Sequence, residues 1–478
     1  MQHIQTSREG HASMDFFFNP RGIAVIGASD NQAKGGFHLF RNTLHSYRGD
    51  VFPVNARLSS ILDRPCYPDV SSIPTDFDLA LFFVPAPSLP RTIEECAAKK
   101  VKGIVIESAG FAEVGPKGRR LQEQCVSLAR RHGIRLWGPN CMGLLDAHSG
   151  HVFSFMYTDA WKKLLKPGDV SMIVQSGMLS AGFLMMILER GGLNISKMCS
   201  IGNKCDVHET ELLEYFINDP TSEAIGLYAE SIVEPRRFLR LASDTDKPIV
   251  LLKGGRSPGG ARAAMSHTAS MASDHAIMRS AIRQSGIIEA TDMNELMDLL
   301  RGFSTSRSCR IHHDAGTAVI TFSGGGGIVT SDLLHDAGLS LAELRPETLK
   351  SLKAVYPPWM DPSNPADIWP AIEYSGVQKV YTEVSEAIMH DPAVDSVVVH
   401  IFTNMADRAM FSDMARLKNE LGKPVVAWLA GMGDGMRSFR SELEELGIPA
   451  YDEMHRCVSV LAAIKEHNRK RGSVHCRE

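Results

Sequence analysis

Short apolar runs, each closed by a turn-forming residue and each followed by a helix-type segment, recur along almost the whole chain. The first block reads GIAVIG at 22–27, VFPV at 51–54, LALFFV at 79–84, GIVIES at 103–108 and IRLWG at 134–138, with helical spacing at 90–99 and 118–132. Runs this short and this uniformly apolar are strands covered on both faces, which calls for parallel sheets with crossover helices. The pattern restarts with DVSMIVQS at 169–176, SKMCSIGN at 196–203, AIGLYAES at 224–231 and PIVLLKGG at 248–255, with helix-type segments at 179–190, 210–218, 235–245 and 275–284. After a polar stretch at 304–316, read as a linker, a third block carries TAVITFSGGGG at 317–327, DSVVVHIF at 395–402 and KPVVAWLA at 423–430. The expectation is three successive α/β domains, an irregular stretch at 146–168 and a frayed polar tail at 467–478. A length of 478 residues suits that count.

Composition narrows the function classes. A formal net charge of -4 removes the electrostatic footprint of a general nucleic-acid binder. No apolar run is long enough to span a membrane, and the first residues lack the apolar core of a secretory signal. The 9 cysteines are scattered without a C-x-x-C pair, which reads as reduced thiols in a cytoplasmic protein.

The chemistry is expected at strand ends, because ligands of open parallel sheets collect at the carboxyl edge. Gly27-Ala28-Ser29 closes the first strand, with Lys34-Gly35-Gly36 beyond it. Glycine there lets a backbone approach a phosphate, and the next helix start offers free N–H groups. The pattern is not G-x-G-x-x-G. The second strand ends in Asn55-Ala56-Arg57, where a nicotinamide dinucleotide site needs an acid for the ribose hydroxyls. That disfavours a dehydrogenase and suits a ligand with an extra phosphate, although a structural glycine turn explains the first strand end equally well. Pro85 and Pro87 stop the third strand and leave carbonyls open to a ligand, and WGPNCMG at 137–143 decorates the fifth.

Two further turns look like anion sites. Gln175-Ser176-Gly177 precedes a helix, and Ser323 is followed by Gly324, Gly325, Gly326 and Gly327 ahead of a helix read at 328–337. Four glycines in a row are costly in backbone entropy and are expected where bare backbone must approach something. His267 follows a Gly/Arg/Ser loop at 254–260 read as mobile. A histidine in that setting can carry a phosphoryl group on nitrogen, with Glu230 at the end of YAES fixing its tautomer. Other candidates are weaker. His312, His313 and Asp314 sit in the linker and are not read as a metal site. Cys141 reads as a loop residue rather than a nucleophile. Lys204 reads either as a contact for a second anionic group or as a surface lysine.

The order of these motifs resembles the NDP-forming acyl-CoA synthetases, specifically the alpha-type subunit of ADP-forming acetyl-CoA synthetases, relatives of succinyl-CoA synthetase. The matching residues are GIAVIGAS (22–29), PVN (53–55), VPAPS (84–88), GPNCMG (138–143), VQSG (174–177), IGNKCDV (201–207), YAES (228–231), GGRS (254–257), SHT (266–268), SGGGG (323–327) and NPADI (364–368), over roughly 14–468. After SHT the chain reads Ala269-Ser270 where the family usually reads Gly-Ala. The resemblance implies an α/β protein with a Rossmann-like CoA-binding domain at 14–146 and two flavodoxin-like ligase domains at 165–303 and 315–468. It implies an acid–thiol ligase making acyl-CoA, ADP and phosphate from acid, CoA and ATP. His267 would be the phosphohistidine and Glu230 its orienting carboxylate. The turns at Ser176-Gly177 and Gly324, Gly325, Gly326 and Gly327 would bind the phosphoryl group. CoA would lie against Gly27, Ser29, Lys34, Asn55, Arg57, Pro85, Ala86, Pro87, Glu107 and Asn140. No ATP-grasp region or P-loop is present, so ATP, ADP and Mg²⁺ are expected on a separate ATP-grasp beta-type subunit, in a hetero-oligomer such as two alpha-type and two beta-type chains. The alternative is a non-catalytic CoA-binding or regulatory protein.

Overall fold

The computed structural model describes residues 14–156, 165–268, 275–309 and 315–475, with the side chains of 265–268, 275–277 and 471–475 outside the description. The chain divides into two compact units, one comprising Met1–Arg190 and Asn194–Met293, the other Gly191–Leu193 and Asn294–Glu478. The first two sequence blocks therefore share one unit.

In the first unit, one parallel sheet has the order Asp50–Val54, Gly22–Ile26, Leu79–Phe82, Gly103–Ile106, Arg135–Trp137. The order reverses between Gly22–Ile26 and Leu79–Phe82, and the carboxyl ends at such a switch point open a crevice. Every residue of Gly22–Ile26, Leu79–Phe82 and Gly103–Ile106 is buried, as expected of strands covered by helices on both faces. The second sheet runs Ile288–Ala290, Ile249–Lys253, Ala224–Ala229, Pro167–Val174, Ile195–Ser200, Leu144–Asp146, His151–Phe153. Its last two strands form an antiparallel hairpin that pairs with Ile195–Ser200.

The stretch read as irregular after 146 thus contains a short strand, His151–Phe153, paired with Leu144–Asp146. The hairpin adds an edge to the second sheet. The two sheets also share an aromatic core: Phe17 packs edge-on against Trp137 at 5.1 Å, Phe18 stacks on Tyr215 at 4.8 Å, and the Trp137 indole donates to Ser200 O at 2.7 Å. Each such side chain contributes about 2–3 kcal/mol by burial, so the sheets are joined by core rather than by a hinge.

The second unit carries a parallel sheet ordered Ala366–Asp367, Gly316–Thr321, Val394–Phe402, Val425–Ala430, Ala450–Tyr451. Helix Met293–Thr305 extends into the stretch read as a linker. The tail read as frayed is helical over Met454–His475, and buried His467 lies edge-on to Phe303 with ring centroids 5.5 Å apart. Among the described residues no helix is long and apolar enough to cross a membrane.

Candidate functional site

The crevice of the first sheet is built by close backbone packing. Gly27 has φ +92°, and a Cβ there would lie 2.4 Å from Phe83 O. The next helix, Gly35–Ser46, starts hard against that turn: a Cβ on Gly36 would lie 2.0 Å from Gly27 O. Glycine is required at both positions because the neighbouring atom is main chain. The helix start has no side-chain cap, and exposed Lys34 stands at the cap position.

Asn55 ties the loops together. Its Nδ2 donates to Ala28 O at 2.8 Å and its Oδ1 accepts from Arg57 N at 2.9 Å. Ser29 Oγ accepts from Asn31 N at 3.1 Å. Arg57, Pro85 and Pro87 are exposed beside it and Ala86 is buried. One expectation fails here: the Pro85 carbonyl is not open, because Ser88 N and Oγ donate to it at 3.0 and 2.6 Å in a tight turn.

Glu107 and Asn140 end the next two strands. Asn140 N donates to Ser108 O at 3.0 Å and Asn140 sits at φ +58°. The Glu107 carboxyl is fully buried. Its Oε2 accepts from Phe155 N at 3.0 Å, its Oε1 has no partner among the described residues, and burial pushes its pKa well above the usual range. Cys141 is buried beside it with Sγ 3.3 Å from Ile106 O, and burial pushes its thiol up, which disfavours the thiolate.

The second sheet delivers its loops to the same edge. Helix Gly177–Arg190 begins against the Asn140 loop: a Cβ on Gly177 would lie 3.4 Å from Met142 Cγ and 3.8 Å from Asn140 O. Ser176 Oγ accepts from Leu179 N at 3.4 Å. Glu230 follows strand Ala224–Ala229 and donates its N–H to Gln175 Oε1 at 2.8 Å. The mobile loop expected before His267 is shorter than read. Helix Pro258–Thr268 starts with proline in its first turn and a Ser257 Oγ that accepts from Gly260 N at 3.0 Å, so the His267 backbone is helical. The His267 side chain, and His312, His313 and Asp314, lie outside the described residues.

In the second unit the tetraglycine is not a loop ahead of a helix. Helix Gly324–Asp336 begins on it, capped by Ser323 Oγ accepting from Gly326 N at 3.2 Å. Gly326 and Gly327 are buried for packing, since added Cβ atoms would meet His400 Nδ1 at 3.2 Å and Pro365 Cβ at 2.9 Å. Gly324 and Gly325 are exposed and leave the helix start bare.

Sequence reasoning missed His400. It lies fully buried in strand Val394–Phe402, with Nδ1 2.9 Å from Thr321 Oγ1 and Nε2 3.1 Å from Thr330 Oγ1. Thr321 Oγ1 donates to Ser323 O at 2.8 Å, so His400 Nδ1 is the donor in its pair. The ring thus ties the strand end to the glycine helix. Burial pulls its pKa from 6.5 to about 4. The unfolded chain takes up a proton that this site refuses, so stability is complete above about pH 6.5 and falls by about 3 kcal/mol as pH drops to about 4. In denaturant titrations at pH 7 and pH 4.5, His400→Gln is expected to lack that part of the pH slope. An unchanged slope would contradict a neutral buried imidazole.

Comparison with known proteins agrees with this layout. Residues 21–147 match the CoA binding domain, 167–303 the succinyl-CoA ligase like flavodoxin domain, and 317–474 the ligase-CoA domain. Over 447 residues, 92% of this chain, it is 35% identical to the alpha subunit of ADP-forming acetate–CoA ligase II of Pyrococcus furiosus, covering 94% of that subunit. The chain belongs to the NDP-forming acyl-CoA synthetases. ADP-forming acetate–CoA ligase II of Archaeoglobus fulgidus is 36% identical over 95% of this synthetase chain and 67% of its own length. A solved dinucleotide-forming acetyl-coenzyme A synthetase 1 of Ca. Korarchaeum cryptofilum, in complex with phosphate and ADP, matches with a TM-score of 0.86 at 32% identity, covering 97% of this chain and 98% of that one. The synthetase is thus an alpha-type chain of an ADP-forming acyl-CoA synthetase, with a CoA-binding domain at its start.

Proposed function

We propose that this chain handles CoA and the carboxylic acid, and carries the phosphoryl group between nucleotide and acid on His267. The observation that carries this reading is the junction of the helix start at Gly177 with the Asn140 loop. A thioester made from an acyl phosphate needs an anion site and a thiol site side by side, and the closeness of this helix start to the Asn140 loop supports such a pairing. The helix start of Gly35–Ser46 without a side-chain cap, the exposed Lys34 and Arg57, and the Asn55 bond to Ala28 O support placing the anionic end of CoA here.

A ring nitrogen of His267 attacks the γ-phosphorus of ATP and ADP leaves. The substrate carboxylate then takes the phosphoryl group, giving an acyl phosphate and restoring the imidazole. The CoA thiolate attacks the acyl carbon, the C–O bond breaks, and phosphate leaves. Dividing one difficult condensation in this way is covalent catalysis. Glu230 keeps the imidazole in the tautomer whose free nitrogen points at phosphorus. The helix start at Gly177 offers N–H groups for a phosphoryl group, a form of fixed-dipole stabilisation. Nucleotide and Mg²⁺ are assigned to an ATP-grasp beta-type partner. When bound there, the metal screens the phosphate charges during transfer.

The purified chain with ATP, CoA and a panel of small carboxylic acids is expected to make no acyl-CoA. Adding an ATP-grasp subunit is expected to give acyl-CoA, ADP and phosphate in equal amounts. Full-rate synthesis by the chain alone would overturn the assignment of nucleotide binding to a partner.

A further inference from the structure

We infer that Gln175, Lys204 and Lys253 form a main-chain clamp that positions Glu230, and that this clamp sets the rate of phosphoryl transfer. It presupposes the role proposed for Glu230 and goes beyond it by assigning the residues that hold that carboxylate in place.

The segment after strand Ala224–Ala229 is gripped by side chains from other elements. Gln175 Oε1 accepts from Glu230 N at 2.8 Å and from Ser231 N at 3.3 Å. Lys253 Nζ donates to Glu230 O at 2.6 Å and to Gly254 O at 2.5 Å. Lys204 Nζ donates to Ser231 O at 2.6 Å and to Glu209 Oε2 at 2.9 Å. Glu209 in turn accepts from Val233 N through its other oxygen. Both main-chain groups of Glu230 and both of Ser231 are therefore held by side chains.

The arrangement is expensive. The Lys204 side chain is 7% exposed and its Glu209 partner 0%, so Lys204 is neither a surface lysine nor open to a second anionic group of the substrate. Lys253 is buried as well, and it donates to the main-chain carbonyls of Glu230 and Gly254. Burial pulls both ammonium groups below their usual range. Buried charges held this way seldom raise stability over an apolar replacement, and they are found where geometry matters.

The clamp also reaches the thiol side of the site. Lys204 sits at φ +44° in a loop seated on the Asn140 loop: Asn203 N and Cys205 N donate to Pro139 O and Gly138 O, each at 2.9 Å. A Cβ on Gly202 would lie 2.1 Å from Pro139 O. One loop thus fixes Glu230 on one side and the Asn140 turn on the other.

The test uses the chain assembled with its ATP-grasp partner and reads the rate of phosphohistidine formation from labelled ATP. Lys204→Met and Gln175→Met are each expected to slow labelling by about tenfold to a hundredfold, the loss expected when a reacting group is displaced by about 1 Å, with the KM for CoA unchanged. In a Glu230→Gln background the same substitutions are expected to cost little further, because no carboxylate is left to position. Gln175→Met removes no charge and keeps the test open if Lys204→Met does not fold. Equal slowing in both backgrounds, or labelling at the wild-type rate, would overturn the clamp alone. An unlabelled wild-type complex that still makes acyl-CoA would overturn the phosphohistidine reading and the clamp with it.

Discussion

Replacing His267 with alanine is expected to lower ATP-dependent acyl-CoA synthesis by about a thousandfold or more, the usual scale for loss of a covalent nucleophile. The loss should be confined to one half of the reaction. In the proposed mechanism, phosphoryl transfer from ATP to acid passes through the imidazole. Exchange between acyl-CoA plus phosphate and acyl phosphate plus CoA breaks and makes only bonds at the acyl carbon. The His267→Ala complex should therefore still release CoA thiol from acyl-CoA in phosphate or arsenate, while ADP-dependent formation of ATP disappears. A thiol assay and a nucleotide assay on the same preparation separate the halves. Equal loss of both would mean that His267 supports the site rather than carrying the phosphoryl group.

The second large effect is expected at Gly36. An added Cβ would stand 2.0 Å from Gly27 O, a main-chain atom that cannot rotate away. Gly36→Ala must push helix Gly35–Ser46 off the strand-end turn, at a cost of about 1–3 kcal/mol in stability. It also displaces the helix start proposed to meet the phosphates of CoA, so the KM for CoA is expected to rise about tenfold or more while the rate of histidine labelling from ATP stays the same. Gly435→Ala is the control, since a Cβ there meets nothing within 4 Å and its φ is ordinary. Wild-type affinity for CoA in Gly36→Ala would show that the ligand does not use this helix start.

The residues explain why some of this was legible in the sequence and some was not. Strands such as Gly22–Ile26 and Val425–Ala430 are buried along most or all of their length, so composition alone reveals them. Helices with a proline in the first turn, such as Pro235–Ser243, announce their starts. The hairpin at Leu144–Asp146 and His151–Phe153 was invisible because three-residue strands leave no period, and its pairing to Ile195–Ser200 is non-local. Poor helix propensity of glycine makes the sequence place the start of helix Gly324–Asp336 at 328. The Ser323 cap and the close approach of Pro365 and His400 outweigh that propensity.

Within the site, the chemistry-bearing types stood out in sequence, while their supports did not. Glu230 ends a strand and is visible as such. The groups that hold it are Gln175, 55 residues away, and Lys253, 23 residues away, which only the fold brings together. His400 likewise looks like a stray polar residue in an apolar strand until Thr321 and Thr330 close on its ring.

The central claim is that a histidine at 267 carries the phosphoryl group, and mapping the label tests it most directly. The assembled complex is incubated with γ-phosphoryl-labelled ATP in the absence of acid and CoA, and the chain is then digested and its peptides separated. The expected result is a base-stable, acid-labile phosphoryl group on the peptide containing His267, discharged as free phosphate with formation of acyl-CoA when acid and CoA are added. A complex that turns over while its label lies on another residue, or on none, would contradict it.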